Sequence, residues 1–333
     1  MKVALVGAGA IGCWLGARLA QQHHTPIQLS VLARGESLQA IREHGVQLSI
    51  AGQTLQAPAQ ASDQAADLGA QDLVLVALKA PALGEVAGQL SPLIGPHTVV
   101  LTAMNGVPWW FLQGLSQPTE ATRLQTIDPD GVIERAIPAE QVLGCVVHAS
   151  CALQGRGHAK HHFGNGLIVG EPRGGPSERA QQAVDLLGAA GFDASLSAQI
   201  QKDIWYKLWG NMTVNPISAI TGATTDLLLA DPLVRDFMSR VMREAQAIGA
   251  CLGLPIDQQP EDRHAVTAKL GAFKSSMLQD IEAQRAVELD ALVSAVRELG
   301  ERTGIDTPFT DALLGISRLH AQGRGLYPPL NHT

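Results

Sequence analysis

Three polar side chains recur every four residues near the middle of the chain, and their types could act on a carbonyl group. Lys207, Asn211 and Asn215 would form one stripe along a continuous helix. Large apolar residues surround the stripe, so its polar groups need partners, and a bound ligand could be one of them. A lysine in such a place can stabilise negative charge on a carbonyl oxygen and then donate a proton. Because Pro216 biases the preceding residue away from helical geometry, we expect the helix to end or kink there.

A glycine-rich segment follows the first apolar run of the chain. It reads Gly7-Ala8-Gly9-Ala10-Ile11-Gly12 and leads into a helical pattern. Gly7 permits a tight turn, Gly9 lets the backbone approach a pyrophosphate, and Gly12 lets the helix pack closely on the strand. The N-terminus of the helix offers free N–H groups to the phosphates. The segment therefore predicts a dinucleotide site.

The end of the second predicted strand distinguishes NAD from NADP. An acidic residue there hydrogen-bonds the ribose hydroxyls, whereas a basic residue accommodates the 2′-phosphate. Arg34 occupies this place, and its planar guanidinium suits a phosphate group. We therefore predict NADPH as the cofactor.

Polar residues also follow two further predicted strands. Lys79 follows the run at 72–78, and Asn105 follows the run at 98–103. An open α/β sheet binds its ligands outside the carboxyl ends of its strands. Two polar residues at successive strand ends therefore favour a role in binding for both.

Each of these residues also has an ordinary structural interpretation. Arg34 could be solvated without a ligand, because Glu36 lies two residues further on. Lys79 and Asn105 could be ordinary loop residues, and Lys207 could extend to solvent while both asparagines bond to the backbone. The combination of a dinucleotide segment with two asparagines on one helix face favours the functional interpretation.

The elements that would position these residues divide the chain in two. Short β-rich runs alternate with helical segments over the first half, which is typical of a parallel sheet covered by helices on both faces. We expect strands at 3–6, 28–32, 72–78 and 98–103, with an antiparallel closing edge from 142–151 and 167–169. Beyond about residue 200 the apolar residues recur at helical spacing.

The predicted fold class is therefore α/β, with an N-terminal Rossmann-type doubly wound sheet followed by an all-helical C-terminal domain. We place the NADP-binding domain at 1–198 and the helical substrate domain at 199–333. Residues 116–138 contain proline, aspartate and glycine, and predict an irregular excursion or a flexible hairpin.

Composition excludes several classes of function. The 333 residues carry a formal net charge of −7, which gives no global attraction to nucleic acid or anionic membranes. The longest apolar runs are far shorter than the ~20 residues that span a bilayer. Four cysteines without a CxxC pair indicate a reduced chain, and we expect a cytoplasmic protein. His158, His161 and His162 lack partners with metal-ligand spacing, so we predict no metal site.

Several separated motifs occur together along the chain. They are Gly7 to Gly12, Ala33-Arg34-Gly35, Leu78-Lys79, Asn105-Gly106, the Lys207, Asn211 and Asn215-Pro216 stripe, Ser275-Ser276-Met277, and Glu288. In this combination the sequence resembles the 2-dehydropantoate 2-reductase (ketopantoate reductase) family over essentially its whole length.

The resemblance implies a role for each matching residue. The position matching Lys207 is the proton donor, and those matching Asn211, Asn215 and Ser276 bind the substrate. The residue matching Asn105 touches cofactor and substrate, and the one matching Glu288 helps hold the cofactor and the catalytic network. From the residues alone, Ser276 could instead begin a capping box, and Glu288 could be an exposed charge beside Arg285.

The resemblance also implies a reaction, the NADPH-dependent reduction of 2-dehydropantoate to pantoate on the route to pantothenate and coenzyme A. Its partner would be a small 2-oxo acid, and a homodimer is compatible with the sequence. The sequence departs from the family pattern at Thr225, near the place of a substrate-binding asparagine, and in the aromatic run 109–111. Two alternatives stay open: a reductase of the same fold for a different branched 2-oxo or 2-hydroxy acid, and a non-catalytic NADPH sensor.

Overall fold

The computed structural model describes residues 1–115 and 123–329, which form two compact units. Unit 1 comprises Met1–Met104 and Asp130–Asp203. Unit 2 comprises Asn105–Pro129 and Ile204–Thr333, as far as these ranges are described. The domains 1–198 and 199–333 stay a prediction, and the compact units differ from them because residues 105–129 group with the helices.

Unit 1 contains a ten-stranded sheet in the order β4-β3-β9-β8-β7-β6-β1-β2-β5, with β10 paired to β9. The strands are β1 Lys2–Val6, β2 Gln28–Leu32, β3 Val46–Ile50, β4 Gln53–Ala57, β5 Gln60–Ser62, β6 Gln71–Val76, β7 Ile94–Thr102, β8 Val142–Gly155, β9 His158–Gly170 and β10 Asp193–Leu196. The run from β8 to β5 is parallel throughout, and β3–β4 and β8–β9 are antiparallel.

The central strands are apolar on both faces because helices cover both faces of a parallel sheet. Val3, Ala4 and Leu5 of β1 are fully buried. Five α-helices belong to this unit: α1 Ala10–Gln21, α2 Gly35–His44, α3 Ala80–Val86, α4 Val132–Ala136 and α5 Glu178–Ala189. Helix α1 packs on β3, β8 and β9. The glycine-rich segment connects β1 to α1 and therefore lies at the carboxyl end of β1.

Unit 2 is helical. A long helix, α6 Ile200–Thr221, begins in unit 1 and continues into unit 2, and it is followed by α7 Thr225–Ala230, α8 Pro232–Cys251, α9 Pro260–Ala268, α10 Ser276–Glu282, a π-helix Asp290–Ser294, α11 Ala295–Thr303 and α12 Pro308–Gln322. Two buried tryptophans join α6 to α8. The indole of Trp209 donates to the Met242 carbonyl at 2.8 Å, and a Cβ on Gly249 would lie 2.3 Å from the Trp205 indole nitrogen. Glycine at this position therefore permits the close packing of the two helices.

Residues 105–129 belong to unit 2 because their polar and apolar groups find partners there. Trp109, Trp110 and Phe111 are all buried, and the ring centroid of Phe111 lies 5.8 Å from that of Trp205. Farther along, the Gln125 and Thr126 amides donate to the Glu298 carboxylate at 2.9 and 2.8 Å. The segment is thus fastened to the helices near both of its ends.

The architecture confirms the predicted fold class, a Rossmann-type sheet followed by a helical region. Three expectations need correction. The β8–β9 pair is antiparallel as predicted, but it is not the edge of the sheet, since β3 and β10 both pair with β9. Helix α6 does not end at Pro216 but runs on to Thr221, and a kink at Pro216 stays a prediction. Of the excursion predicted at 116–138, residues 116–122 lie outside the described residues, and α4 forms part of the remainder.

All four cysteines are free thiols. Within residues 1–115 and 123–329, no helix combines the length and the apolarity that crossing a membrane requires.

Candidate active site

The glycine-rich segment of unit 1 adopts the geometry that its sequence predicts. Gly7 has a φ of 105°, and a Cβ there would lie 2.9 Å from the Ala77 carbonyl. A Cβ on Gly12 would lie 2.0 Å from the Gly7 carbonyl oxygen, so these two glycines are required by the protein itself. Gly9 differs, because its Cβ would meet its nearest protein neighbour only at 4.0 Å.

Gly9 is also the N-cap of α1. Because glycine has no side chain, no cap from this position occupies the N–H groups of the first turn. No acidic residue lies in the first turn either. Backbone N–H groups at such an end attract an anion. The open space at Gly9 could therefore hold a pyrophosphate, and a Cβ would intrude into that space.

A cavity of about 170 Å³ adjoins this segment at the carboxyl ends of β1 and β2. The residues that line it include Gly7 and Ala8 of the glycine-rich segment and the polar residues Arg34, Ser37, Asp63 and Gln89. The Arg34 guanidinium is exposed and lies 3.8 Å from the Glu85 carboxylate. A long, exposed ion pair of this kind is worth little free energy, so a phosphate could replace the carboxylate.

The proximity of Glu36 in sequence was the reason to consider that Arg34 is solvated without a ligand. Glu36 pairs instead with Arg156 at 3.0 Å. Four polar residues in or beside the cavity were not predicted from the sequence; they are Ser37, Asp63, Glu85 and Gln89. Ser37 lies in the first turn of α2, three residues after Arg34, and this placement could have indicated it. Lys79 takes the N-cap position of α3, after β6.

In unit 2, the lysine of the polar stripe meets the asparagine that follows β7. The Lys207 ammonium donates to the Asn105 side-chain oxygen at 2.8 Å. The loop is anchored at the next residue, because Gly106 has a φ of 78° and a Cβ there would lie 2.4 Å from the Ala291 carbonyl oxygen. The Val107 amide donates to that same oxygen at 2.8 Å. Asn105 thus directly precedes a turn that backbone contacts fix in place.

The other end of the stripe meets the start of α10. The Asn215 amide nitrogen is 3.3 Å from the Ser276 hydroxyl, and Asn215 is buried. The capping-box interpretation of Ser276 is wrong, since the N-cap is Ser275, whose hydroxyl accepts from the Leu278 amide at 3.1 Å. The Ser276 hydroxyl is therefore not used for capping, and it can contact Asn215 of the polar stripe.

Glu288 is buried, with 8 % of its surface exposed, directly before a helical turn. The interpretation as an exposed charge beside Arg285 is therefore wrong, and Arg285 pairs with Asp280 at 3.1 Å. The π-helix Asp290–Ser294 begins two residues after Glu288. Single turns of π-helix are rare in proteins, and many of those that are known lie at functional sites.

The structure thus brings four of the expected site residues together in two pairs, Lys207 with Asn105 and Asn215 with Ser276. Asn211 lies between them on α6, half-buried like Lys207. Thr225, the departure from the family pattern, uses its hydroxyl to donate to the Gly271 carbonyl at 2.6 Å. All six expected catalytic and substrate-binding residues lie in unit 2, whereas the glycine-rich segment, Arg34 and Lys79 lie in unit 1.

Two of the three histidines for which we predicted no metal have other partners. His158 hydrogen-bonds the Ser49 hydroxyl at 2.9 Å, and His161 stacks on Trp14. In the part of the chain that the structure describes, no group of three or more histidine, cysteine or acidic side chains is arranged to hold a metal ion.

Unit 2 thus carries a lysine and two asparagine amides on one side of a helix, together with a buried carboxylate. The amides and the lysine can bind an anionic, oxygen-rich molecule, and the lysine can donate a proton to it. Comparison with known proteins agrees with this chemistry. The family model of ketopantoate reductase PanE/ApbA matches residues 3–174, and the model of its C-terminal part matches 199–321.

A 2-dehydropantoate 2-reductase from Mesorhizobium japonicum is 43% identical over 327 residues, covering 98% of this chain and 100% of the relative. A crystal structure of a provisionally assigned ketopantoate reductase from Ralstonia solanacearum MolK2 is 53% identical, covers 98% of this chain and 99% of that one, and superposes with a TM-score of 0.94. A D-mandelate dehydrogenase solved with NADH and anilino(oxo)acetate, 22% identical with a TM-score of 0.82 over 98% of this chain and 100% of that one, shares the fold. The motifs, the fold and these relatives agree: the chain belongs to the ketopantoate reductase family of oxidoreductases.

Proposed function

We propose that this chain reduces 2-dehydropantoate to pantoate with NADPH, and so supplies pantoate for pantothenate and coenzyme A. The observation that carries the proposal is the hydrogen bond of 2.8 Å between the Lys207 ammonium and Asn105. It provides a half-buried cation with a fixed direction, which a 2-oxo acid needs for charge stabilisation and proton transfer. The relative from Mesorhizobium japonicum, which aligns over its whole length, is named for this reaction.

The residues of unit 1 suit the phosphates of NADPH. The N–H groups at the start of α1 would hold the pyrophosphate above Gly9, within the segment from Gly7 through Ala8, Ala10 and Ile11 to Gly12. Arg34 would bind the 2′-phosphate, with the Ser37 hydroxyl in the same cavity. Lys79, Asn105 and Glu288 complete the set that we propose for the cofactor. When bound, NADPH supplies the hydride that reduces the 2-oxo carbon.

Lys207 acts on the carbonyl oxygen of the substrate. As negative charge develops there, the ammonium group stabilises it and then transfers one proton to the oxygen, leaving a neutral amine that solvent reprotonates. The Asn105 side chain, which accepts from the ammonium, directs Lys207 before the substrate binds. Asn211, Asn215 and Ser276 would hold the hydroxyl and carboxylate groups of the substrate, and such contacts discriminate strongly against analogues that lack these groups.

The first experiment measures NADPH oxidation with 2-dehydropantoate, 2-oxoisovalerate and 2-oxoisocaproate, and repeats each assay with NADH. Fast turnover of 2-dehydropantoate with NADPH is expected. Lys207→Ala should lower kcat by about 10²–10⁴-fold, the usual contribution of a positioned general acid. The matched control is Lys202→Ala, which removes an exposed lysine from the same helix and should leave kcat unchanged.

The cofactor has its own test in the same assay. Arg34→Ala should raise the KM for NADPH about 10–100-fold, as expected for loss of a charge-assisted hydrogen bond, and leave the KM for NADH nearly unchanged. Faster turnover of another 2-oxo acid would favour the reductase of a different substrate. NADPH binding without turnover of any 2-oxo acid would favour the non-catalytic sensor. A homodimer and a cytoplasmic location stay predictions.

A further inference from the structure

The last described residues of the chain contact both flanks of Glu288. On one side, the Leu326 carbonyl accepts a hydrogen bond from the Val287 amide at 3.2 Å. On the other side, the Tyr327 hydroxyl donates to a carboxylate oxygen of Asp290 at 2.6 Å. The tail therefore fixes the residue before Glu288 and the second residue after it.

The tail is itself held in place. The Leu326 side chain is buried, and its amide donates to the Ala321 carbonyl at 2.9 Å, closing the end of α12. One residue beyond Tyr327, the Pro328 carbonyl accepts from the Gln322 side chain at 2.8 Å. Tyr327 thus lies between two fixed points and can restrain what it contacts.

The Asp290 contact acts on the π-helix. In an α-helix the Ala295 amide would donate to the Ala291 carbonyl, four residues back. Here it donates to the Asp290 carbonyl, five residues back. The Ala291 carbonyl instead accepts from the Val107 amide. The wide turn therefore supplies the acceptor that anchors the loop of Asn105, and Asn105 accepts from Lys207.

Two hydroxyl groups restrain this wide turn at one atom. Tyr327 and Ser294 both donate to the same carboxylate oxygen of Asp290, at 2.6 and 3.0 Å. Ser294 belongs to the π-helix itself, so of these two hydroxyls it is Tyr327 that brings a restraint from another element. A hydrogen bond to a charged group is among the stronger ones in a protein.

We propose that Tyr327 is a positioning residue for the reaction: through Asp290 it holds the π-helix, and the π-helix holds Glu288 and the Asn105–Lys207 pair. This inference rests on the proposed function for the identity of the reacting groups. Tyr327 touches none of the reacting atoms in this scheme. Its effect reaches them through the Ala291 carbonyl.

The test uses the two tyrosines of the chain as a matched pair. Tyr327→Phe removes the hydroxyl bonded to Asp290, and Tyr206→Phe removes a hydroxyl bonded to Gln258 at 2.8 Å. Tyr327→Phe should lower kcat for 2-dehydropantoate about 10-fold, roughly the effect of one lost hydrogen bond to a charged group. The KM for NADPH should change less than kcat, because the residues proposed for the phosphates lie in unit 1 and only Asn105 and Glu288 of the proposed cofactor set depend on the π-helix. Tyr206→Phe should change neither constant.

A conservative variant separates positioning from a merely structural role. Asp290→Asn keeps a side-chain oxygen that can accept from Tyr327, so it should retain most of kcat, whereas Asp290→Leu should match the loss in Tyr327→Phe. If Tyr327→Phe does not fold, the comparison of Asp290→Leu with Asp290→Asn carries the same test, because only the leucine variant removes the acceptor of the Tyr327 hydroxyl. Equal kcat values in Tyr327→Phe, Asp290→Leu and the wild type would overturn the proposal.

Amide hydrogen exchange of residues 287–296 supplies a readout that needs no substrate. Exchange in this segment should be faster in Tyr327→Phe than in the wild type or Tyr206→Phe. If the wild type reduces none of the 2-oxo acids, the proposed function fails while this comparison still decides whether Tyr327 holds the turn. Unchanged exchange in Tyr327→Phe would show that it does not.

Discussion

Two neighbouring serines at the start of α10 have different roles, one in capping the helix and one in contacting the polar stripe. Ser275 is buried, and its hydroxyl accepts from the Leu278 amide, which is the contact of a helix N-cap. The Ser276 hydroxyl accepts from the Asn215 side-chain amide and so contacts the polar stripe of α6. Because each hydroxyl has a different partner, the two positions should respond differently to the same substitution.

Ser275→Ala should lower the free energy of unfolding by about 1 kcal/mol, the usual cost of losing an N-cap, with little change in KM for the 2-oxo acid. Ser276→Ala should show the reverse, with a raised KM and nearly wild-type stability. Urea unfolding and steady-state kinetics on both variants check this. Equal effects of the two variants on KM would contradict the assignment of the cap.

The glycines of the dinucleotide segment offer a second contrast between nearby positions. A Cβ at Gly12 would lie 2.0 Å from the Gly7 carbonyl oxygen, whereas a Cβ at Gly9 would have 4.0 Å to its nearest protein neighbour. Gly12→Ala must therefore displace backbone and should cost about 1–3 kcal/mol of stability or more. Gly9→Ala should cost about 1 kcal/mol at most, as an N-cap substitution, but should raise the KM for NADPH.

Thermal unfolding without cofactor and NADPH titration distinguish these effects. The expected order of stability is wild type, then Gly9→Ala, then Gly12→Ala. Unimpaired NADPH binding by a folded Gly9→Ala variant would mean that the pyrophosphate does not approach the backbone at this position.

At the level of elements, one carboxylate fastens the returning part of the 105–129 segment to α11. Glu298 accepts from the amides of Gln125 and Thr126 and pairs with Arg302 at 2.6 Å. Burial alone would raise the pKa of Glu298, but the hydrogen bonds from Thr126, Gln125 and Arg302 outweigh it and hold the pKa below its ordinary value of 4.5.

Glu298 should therefore contribute a pH-dependent stability. Because its pKa is lower in the folded state, the contribution is fully present above pH 4.5 and is lost as the pH falls below 4.5 through the folded-state pKa. Glu298→Gln should lower the free energy of unfolding by about 1–3 kcal/mol at neutral pH, and the difference from the wild type should shrink below pH 4.5.

Urea unfolding over a series of pH values checks this prediction. Glu301→Gln is the matched control, since Glu301 lies on the same helix in an exposed ion pair with Arg297 at 2.8 Å. An exposed pair contributes about 0–1 kcal/mol. A difference between Glu298→Gln and the wild type that grows towards acid pH would contradict the predicted sign of this pH dependence.

At the scale of the whole molecule, the 105–129 segment is continuous with the sheet domain in sequence but packs with the helical unit. A fragment of residues 1–198 would contain this segment without the helices that cover it. Trp109, Trp110 and Phe111 would then lose the partners that bury them. Exposed aromatic clusters bind apolar dyes and promote association.

The fragment 1–198 should therefore bind an apolar fluorescent dye and form aggregates, whereas the full chain should do neither. A control fragment with all three aromatic residues changed to serine should bind less dye. Dye fluorescence and size-exclusion chromatography measure both properties. A monomeric fragment without dye binding would support a simple boundary at residue 198.

Signals that act over a few residues were sufficient to predict much of this protein. The steric demands of Gly7 and Gly12 and the apolar strand before them predict the phosphate-binding turn, because the chemistry of that turn lies within one βα connection. Helical periodicity predicts the stripe of Lys207, Asn211 and Asn215 for the same reason. The short, half-exposed strands β3, β4, β5 and β10 escaped prediction because they carry little continuous apolar sequence.

Contacts between distant parts of the chain were decided only by the tertiary structure. The sequence alone determined the fold class, the dinucleotide segment and the polar stripe. Packing determined that Asn105 meets Lys207, that Ser275 rather than Ser276 caps α10, and that α6 continues through Pro216. The π-helix and its contact with Tyr327 likewise depend on the end of α12, far along the chain. Local sequence cannot encode such pairs, because each hydrogen bond forms only after separate elements have packed and excluded water from it.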